Sequence, residues 1–137
     1  MRDRGATGPA IIQRIEGGLI MAATLVGTIV IAPDWWWMPL ALFLVFDLSQ
    51  LGYLRSPAAG AAWYNAIHTY AWAAALAVVA LVASSFAPAL SMWSAIIAFA
   101  WAFHVGVDRA LGYGLKLPDA FTHTHMGWIG KGRETRA

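Results

Sequence analysis

A long uncharged stretch constrains this chain more than any other feature. From Ser56 to Val107 the sequence contains no Asp, Glu, Lys or Arg. That stretch is too long for one membrane-spanning helix, which needs about 20 apolar residues. The whole chain is 60% hydrophobic and 12% charged, whereas soluble domains carry about 25% charged residues. The sequence therefore predicts an integral membrane protein and argues against a soluble enzyme, a nucleic-acid-binding protein or a disordered tail.

Local helix breakers divide the chain into four apolar segments. Pro33 and Pro57 interrupt the first half, the turn at 83–88 divides the uncharged stretch, and Gly112 ends the last segment. Proline disfavours a helical conformation at the residue before it, and glycine commonly terminates helices. We expect a single domain, 1–137, that is an all-α, integral membrane four-helix up-down bundle. Its helices are expected at about 11–32, 35–54, 58–82 and 88–111, followed by a polar tail at 115–137.

Positive charge lies on only one side of this arrangement. With four spans, all nine basic residues fall on the same side as the two chain termini, whereas three or five spans would scatter them. These residues are Arg2, Arg4, Arg14, Arg55, Arg109, Lys116, Lys131, Arg133 and Arg136. Because cytoplasmic loops of membrane proteins are enriched in Lys and Arg, the sequence predicts cytoplasmic termini in a bacterial inner membrane.

Polar side chains within the spans are costly, since an Asp at a helix centre costs roughly 2.5–3.5 kcal/mol. At 1.5 Å per residue, Asp47 and His104 lie about 12 Å, and His68 about 15 Å, from the cytoplasmic ends of their helices. Asn65 and Asp108 lie one turn nearer the cytoplasm and share helix faces with His68 and His104. We therefore expect a common polar pocket that opens to the cytoplasm.

The residue types in this pocket suit a metal ion. Imidazole and carboxylate groups bind Zn, Fe, Mn or Ni, and ligands can come from facing helices of a bundle. The candidate ligands are His68, His104, Asp47 and Asp108; weaker candidates are Asn65 and the tail residues His123 and His125. Tyr113 is expected to contact the ligands and orient them without binding the metal itself. An open coordination position would activate water for hydrolysis or hold a redox substrate.

Several other interpretations remain open from the sequence. A His–Asp pair can simply hold transmembrane helices together, act as a proton relay in transport, or include a histidine that ligates a haem or chlorophyll-type pigment. A different class of function is a non-catalytic accessory subunit of a respiratory or photosynthetic membrane complex. In that case the Trp and Ala surfaces would pack against partner helices, pigments or a second copy of the chain, and the rest would face the lipid bilayer.

Four motifs in order resemble one known family. They read Phe46-Asp-Leu-Ser-Gln-Leu-Gly-Tyr-Leu54, Trp63-Tyr-Asn-Ala-Ile-His-Thr-Tyr70, His104-Val-Gly-Val-Asp-Arg-Ala-Leu-Gly-Tyr-Gly-Leu-Lys116 and Thr124-His-Met-Gly127. The chain resembles, over about Ile15–Gly130, a family of small bacterial membrane proteins known as domain of unknown function 4260. The resemblance implies a four-helix membrane fold and brings no assigned activity. The motifs coincide with the polar residues of the expected pocket.

Overall fold

The computed structural model describes residues 8–130 of the chain. Four helical segments are long and apolar enough to cross a membrane, and we call them spans one to four: Gly8–Ile31, Pro33–Leu54, Pro57–Ala83 and Pro88–Leu111. The predicted all-α membrane fold with four spans is therefore confirmed, and the chain is a multi-pass membrane protein. The ends of the expected domain, 1–7 and 131–137, lie outside the described residues.

Spans two and three are built from shorter pieces, whereas spans one and four are single helices. In chain order the elements are α1 (Gly8–Ile31), a 3-10 helix (Pro33–Trp35), α2 (Met38–Ala41), α3 (Phe43–Asp47), a second 3-10 helix (Leu48–Leu54), α4 (Pro57–Ile67), α5 (Tyr70–Ala83), α6 (Pro88–Leu111), β1 (His123–Thr124) and β2 (Gly127–Trp128).

Helix α6 is the centre of the packing. It contacts α1, α2, α3 and α5, and Ile96, Ala100 and Val105 on it are completely buried. Its contact with α1 is a backbone contact, because a Cβ atom added to Gly17 would lie 2.8 Å from the carbonyl oxygen of Gly106. Small residues at such crossings let membrane helices approach closely.

Span two tightens where it carries Asp47. Helix α3 ends at Asp47, and the next seven residues, Leu48–Leu54, continue as a 3-10 helix. Runs of 3-10 helix longer than three or four residues are uncommon, and they often mark a functional segment. This segment packs against α4, with the ring of Tyr53 lying over Gly60. The regular helix expected at 35–54 is therefore replaced by pieces that join at Asp47.

Span three is interrupted inside the membrane. His68 (φ −84°, ψ 43°) and Thr69 (φ −121°, ψ 146°) both leave the helical conformation. The Thr69 hydroxyl then accepts a hydrogen bond from the amide of Ala71 at 3.3 Å and begins α5. The single helix expected at 58–82 is thus two helices, joined at His68.

Three of the carbonyl groups released by this break accept hydrogen bonds from side chains. An unsatisfied backbone group in hydrocarbon costs several kcal/mol, so irregular backbone at membrane depth must be bonded by protein or water. Three side chains donate to these carbonyls: Trp72 Nε1 to Ala66 at 2.7 Å, Trp101 Nε1 to Ile67 at 2.8 Å and Arg109 Nη2 to His68 at 3.2 Å. Two indoles and one guanidinium therefore stabilise the break.

The segment after α6 folds back over one end of the helices. Gly112 ends α6 in the left-handed region (φ 93°), and the short hairpin β1–β2 pairs His123 with Trp128. His125 attaches this segment to α1. Its Nδ1 accepts from the Leu115 amide at 2.8 Å, and its Nε2 lies 2.9 Å from Gln13 Oε1. Because Nδ1 is an acceptor, the ring proton lies on Nε2 and is donated to Gln13.

The close contact between α1 and α6 gives a test on neighbouring residues. We expect Gly17→Ala to lower the free energy of unfolding by about 1–3 kcal/mol, since the new methyl group overlaps α6. Gly18→Ala is the matched control, because its Cβ would meet only Ala110 Cβ at 4.0 Å. Denaturant unfolding in detergent, followed by circular dichroism, measures both. Equal stability of the two variants would contradict the contact.

The His125 contact predicts a pH-dependent attachment of the tail. Burial, and to a lesser extent Arg109, lower the pKa of His125 below 6.5. The unfolded or detached ring therefore binds a proton more readily. The stability of the attachment is complete above about pH 6.5 and is lost as the pH falls through the lower, folded pKa.

Hydrogen exchange of the Leu115 amide measures this attachment. We expect protection to decrease below about pH 6.5 in the natural chain and to be weak at every pH in His125→Ala. His125→Gln should show no such pH dependence, because an amide keeps an acceptor but does not titrate. Constant protection of Leu115 down to pH 5 in the natural chain would contradict the assignment.

Candidate metal centre

Three side chains from three spans converge at the break in span three. His68 Nε2 lies 2.9 Å from His104 Nε2 and 3.6 Å from Asp47 Oδ1. His104 Nε2 lies 3.8 Å from the same carboxylate oxygen. Each of these separations is shorter than two metal–ligand bonds, about 4.1 Å in sum. One ion can therefore reach all three atoms, and this group could hold a metal.

The carboxylate of Asp108 borders the same three residues. Its Oδ2 lies 3.4 Å from His68 Nε2 and accepts a hydrogen bond from the Tyr64 hydroxyl at 2.7 Å. The four residues proposed from the sequence as ligands are thus neighbours in space. They come from α3, the end of α4, and α6.

Most of this cluster is buried, and no Lys or Arg among residues 8–130 contacts its carboxylates directly. His68 and His104 are 1% and 0% exposed and Asp108 is 8% exposed, whereas the Asp47 side chain keeps 29% of its surface exposed. Within residues 8–130, no Lys or Arg nitrogen lies within 4.0 Å of the carboxylates of Asp47 and Asp108. Buried carboxylates are costly unless they are paired or bound to a metal. Arg109 and Lys116 interact with Asp108 only from beyond that distance, so neither neutralises a carboxylate by direct contact.

The hydrogen bonds fix which nitrogen of His68 is free. Its Nδ1 lies 2.9 Å from the carbonyl oxygen of Tyr64; since a carbonyl only accepts, Nδ1 carries the proton. The lone pair of Nε2 therefore faces His104 and the carboxylates. A ligating histidine typically donates its other N–H to a carbonyl or carboxylate in this way. Stacking on the Tyr64 ring, with 3.6 Å between centroids, holds the imidazole in place.

The environment of His104 is mainly aromatic. The rings of Phe43 and Phe46 lie 4.4 and 5.3 Å from the imidazole, centroid to centroid. His104 Nδ1 is buried with no hydrogen-bond partner among the described residues. When no ion is bound, the proton is best placed on Nε2, where it is donated to His68 Nε2. A metal ion would replace that shared proton.

The break in span three and the ligand geometry depend on each other. Trp101 and Arg109, which donate to the carbonyls of Ile67 and His68, flank His104 on α6. The contacts that stabilise the break therefore also set the distance between His68 and His104.

A cavity of about 410 Å³ adjoins the cluster. Asp47, Tyr64 and Asp108 line it on the ligand side, and its walls are largely apolar, with Phe43 and Leu111 among them. The segment after α6 forms another wall of the cavity through residues such as Lys116, Phe121 and Ile129. The carboxylates thus face a space of the size that small-molecule ligands occupy in proteins.

The weaker ligand candidates lie outside the cluster. Asn65 uses both ends of its amide on the backbone of Lys116, donating at 2.9 Å and accepting at 2.7 Å. His123 pairs with Asp119 at 2.8 Å and stacks on Trp128, and both nitrogens of His125 are engaged as described. The structure thus gives all three residues contacts that hold the tail.

Sequence reasoning missed several contacts of the site. Gln50 Nε2 donates to Asp47 Oδ1 at 2.6 Å, and the i, i+3 spacing of these two residues was the available signal. The role of Trp101 at the break had no local signal. Tyr113, which we expected beside the ligands, lines the cavity, and its ring centroid lies 5.9 Å from the Lys116 ammonium.

Comparison with known proteins identifies the family but no characterised relative. No curated protein and no solved structure matches the chain. The family model described as "Domain of unknown function (DUF4260)" matches residues 10–129, a range that contains the ligand cluster, the break in span three and the hairpin. On this match the chain belongs to the DUF4260 family.

Proposed function

We propose that this protein is a membrane-embedded metalloprotein. His68, His104 and Asp47 hold one divalent first-row metal ion, and Asp108 is the fourth ligand. The observation that carries the proposal is the meeting of two imidazole Nε2 atoms and two carboxylates from three spans. No Lys or Arg nitrogen of residues 8–130 lies within 4.0 Å of these carboxylates. This donor set suits Zn, Fe, Mn or Ni.

A purely structural His–Asp contact explains less of the geometry. One hydrogen bond per pair would hold the helices together, yet here two Nε2 atoms face each other at 2.9 Å beside two carboxylates. Metal binding would move the His104 proton to Nδ1, which has no acceptor among the described residues, at a cost of about 1–3 kcal/mol. Structural Zn²⁺ binding contributes about 10–16 kcal/mol in small peptides. The cost of moving the proton is therefore small compared with the free energy of metal binding.

The same geometry favours a bare ion over a pigment. A haem or chlorophyll-type macrocycle needs an open face above the ligating nitrogen. Here each Nε2 faces the other imidazole and the Asp47 carboxylate within 3.8 Å. The space between the rings admits an ion and not a macrocycle.

The cavity supports chemistry on a lipid-soluble molecule. Its carboxylate side borders the proposed ligands, and its remaining walls are largely apolar. A metal ion held by these residues would supply Lewis-acid chemistry, either to activate water for hydrolysis or to bind a redox-active group of a substrate. Tyr64 orients Asp108, and Gln50 orients Asp47.

We further propose that the cavity opens to the cytoplasm of a bacterial cell, with the protein in the inner membrane. Arg14 donates to the carbonyl of Ala110 at the end of α6, and Arg55 follows span two at this same end. The opposite end carries the ring contacts of Trp35 with Trp37 and Trp93. Basic residues favour the cytoplasmic side, and tryptophans favour the membrane interfaces.

The metal proposal predicts a defined stoichiometry. Chain purified in detergent and exposed to Zn²⁺, Fe²⁺, Mn²⁺ or Ni²⁺ should retain about one ion per chain, measured by elemental analysis after dialysis. His68→Ala and His104→Ala should each lose the ion, because each substitution removes one of the two imidazole ligands. His123→Ala is the matched control and should keep the ion, since His123 lies in the hairpin.

Circular dichroism confirms that each variant is folded before its metal content is compared. Unchanged metal content in His68→Ala would overturn the assignment. A metal-free natural chain that co-purifies with other membrane subunits would favour the accessory-subunit interpretation.

The orientation can be tested with single cysteines, because the natural chain has none. Ser85→Cys, in the exposed turn between spans three and four, should react in intact spheroplasts with a membrane-impermeant thiol reagent. Pro118→Cys, exposed in the tail, should react only after permeabilisation. Labelling of Pro118→Cys from outside would reverse the proposed orientation.

A further inference from the structure

The ammonium group of Lys116 lies in an aromatic cage. Lys116 is only 4% exposed, and its Nζ lies 4.0 Å from the ring centroid of Phe121, 5.1 Å from Tyr64 and 5.9 Å from Tyr113. Among residues 8–130, no carboxylate oxygen lies within 4.0 Å of this nitrogen. Aromatic faces attract a cation, but they do not neutralise its charge.

The backbone of Lys116 is held unusually firmly for a tail residue. Asn65 on α4 forms two hydrogen bonds with it, at 2.7 and 2.9 Å, and Thr124 pairs with it through a β-bridge. The position of the ammonium therefore depends on span three and the hairpin, and not only on its flexible side chain. Such preorganisation lowers the entropic cost of binding a ligand.

Lys116 and the proposed metal ligands line the same cavity. Asp47 and Asp108 lie on one side, Lys116 lies among the tail residues, and apolar side chains such as Phe43 and Ile129 form walls. Burial lowers the pKa of Lys116, an effect that the nearby Asp108 only partly opposes. An anion in the cavity would give the ammonium a partner in direct contact, which no carboxylate among residues 8–130 provides.

We propose that Lys116 is the anion-binding group of this cavity, and that the cavity takes an amphiphile with an anionic head, a carboxylate or a phosphate, and an apolar body. The head pairs with the ammonium in its aromatic cage, and the apolar body lies against Phe43, Leu111 and Ile129. This inference deepens the proposed function, because it names the class of molecule presented to the metal ion.

Binding of short amphiphiles tests the proposal on the full chain in nanodiscs of zwitterionic lipid. The probes are hexanoate, hexyl phosphate and hexanol, followed by ligand-observed NMR. We expect both anions to bind and hexanol to bind about 10- to 100-fold more weakly, the usual value of a hydrogen bond to a charged group. Whichever of the two anions binds more tightly indicates whether the natural head group is a carboxylic acid or a phosphate ester.

The decisive variant is Lys116→Met, which keeps the length and apolar stem of the side chain and leaves the backbone bonds to Asn65 in place. This substitution should reduce the affinity for both anions to that for hexanol, whereas Lys116→Arg should keep most of the affinity. Arg55→Met is the matched control, because Arg55 is exposed at the same end and does not line the cavity. Anion affinity that Lys116→Met leaves unchanged would overturn the proposal.

The metal content of each variant separates this inference from the proposed function. Lys116→Met should keep the ion of the natural chain, since its ammonium is not a ligand. Anions that bind only to metal-loaded protein, with equal affinity in Lys116→Met, would show that the metal takes the head group and would overturn the role of Lys116. Anions that bind through Lys116 in a chain that holds no metal would instead overturn the proposed function alone.

Discussion

The hydrogen bonds to the broken backbone of span three are the constraint on which the rest of the structure depends. Lipid offers no partner to a released carbonyl group. The chain leaves the helix at His68 where Trp72, Trp101 and Arg109 donate hydrogen bonds to the released carbonyl groups. Two of these donors belong to α6, the helix that carries His104 and Asp108. The same bonds therefore stabilise the break, hold α4 and α5 against α6, and bring the imidazoles of His68 and His104 together.

Solvation in lipid explains why much of this could be predicted from the sequence. The number of spans follows from local signals, namely uncharged stretches, prolines and glycines. The meeting of Asp47, His68, His104 and Asp108 follows from the cost of placing such groups against acyl chains. Both predictions use properties that each residue carries by itself, so they do not require knowledge of its distant contacts.

The features that were not predicted depend on long-range contacts. No Pro or Gly marks the break at His68, and its donors Trp101 and Arg109 come 34 and 41 residues later than the carbonyls they bind. Asn65 reads as a ligand candidate because of its spacing from His68, yet its amide holds Lys116, 51 residues away. The 3-10 segment after Asp47 similarly depends on packing between Tyr53 and Gly60. Periodicity reports which side chains share a face, and it does not report which distant residue they meet.

The division of span three has a mechanical consequence. Helix α4 packs mainly against the 3-10 segment of span two, whereas α5 packs against α6, so the two halves of one span have different neighbours and meet at a two-residue joint. A bond to the His68 imidazole acts directly at that joint. An ion held by His68 would therefore tie the junction between the two halves of span three to α3 and α6, the helices that carry Asp47 and His104.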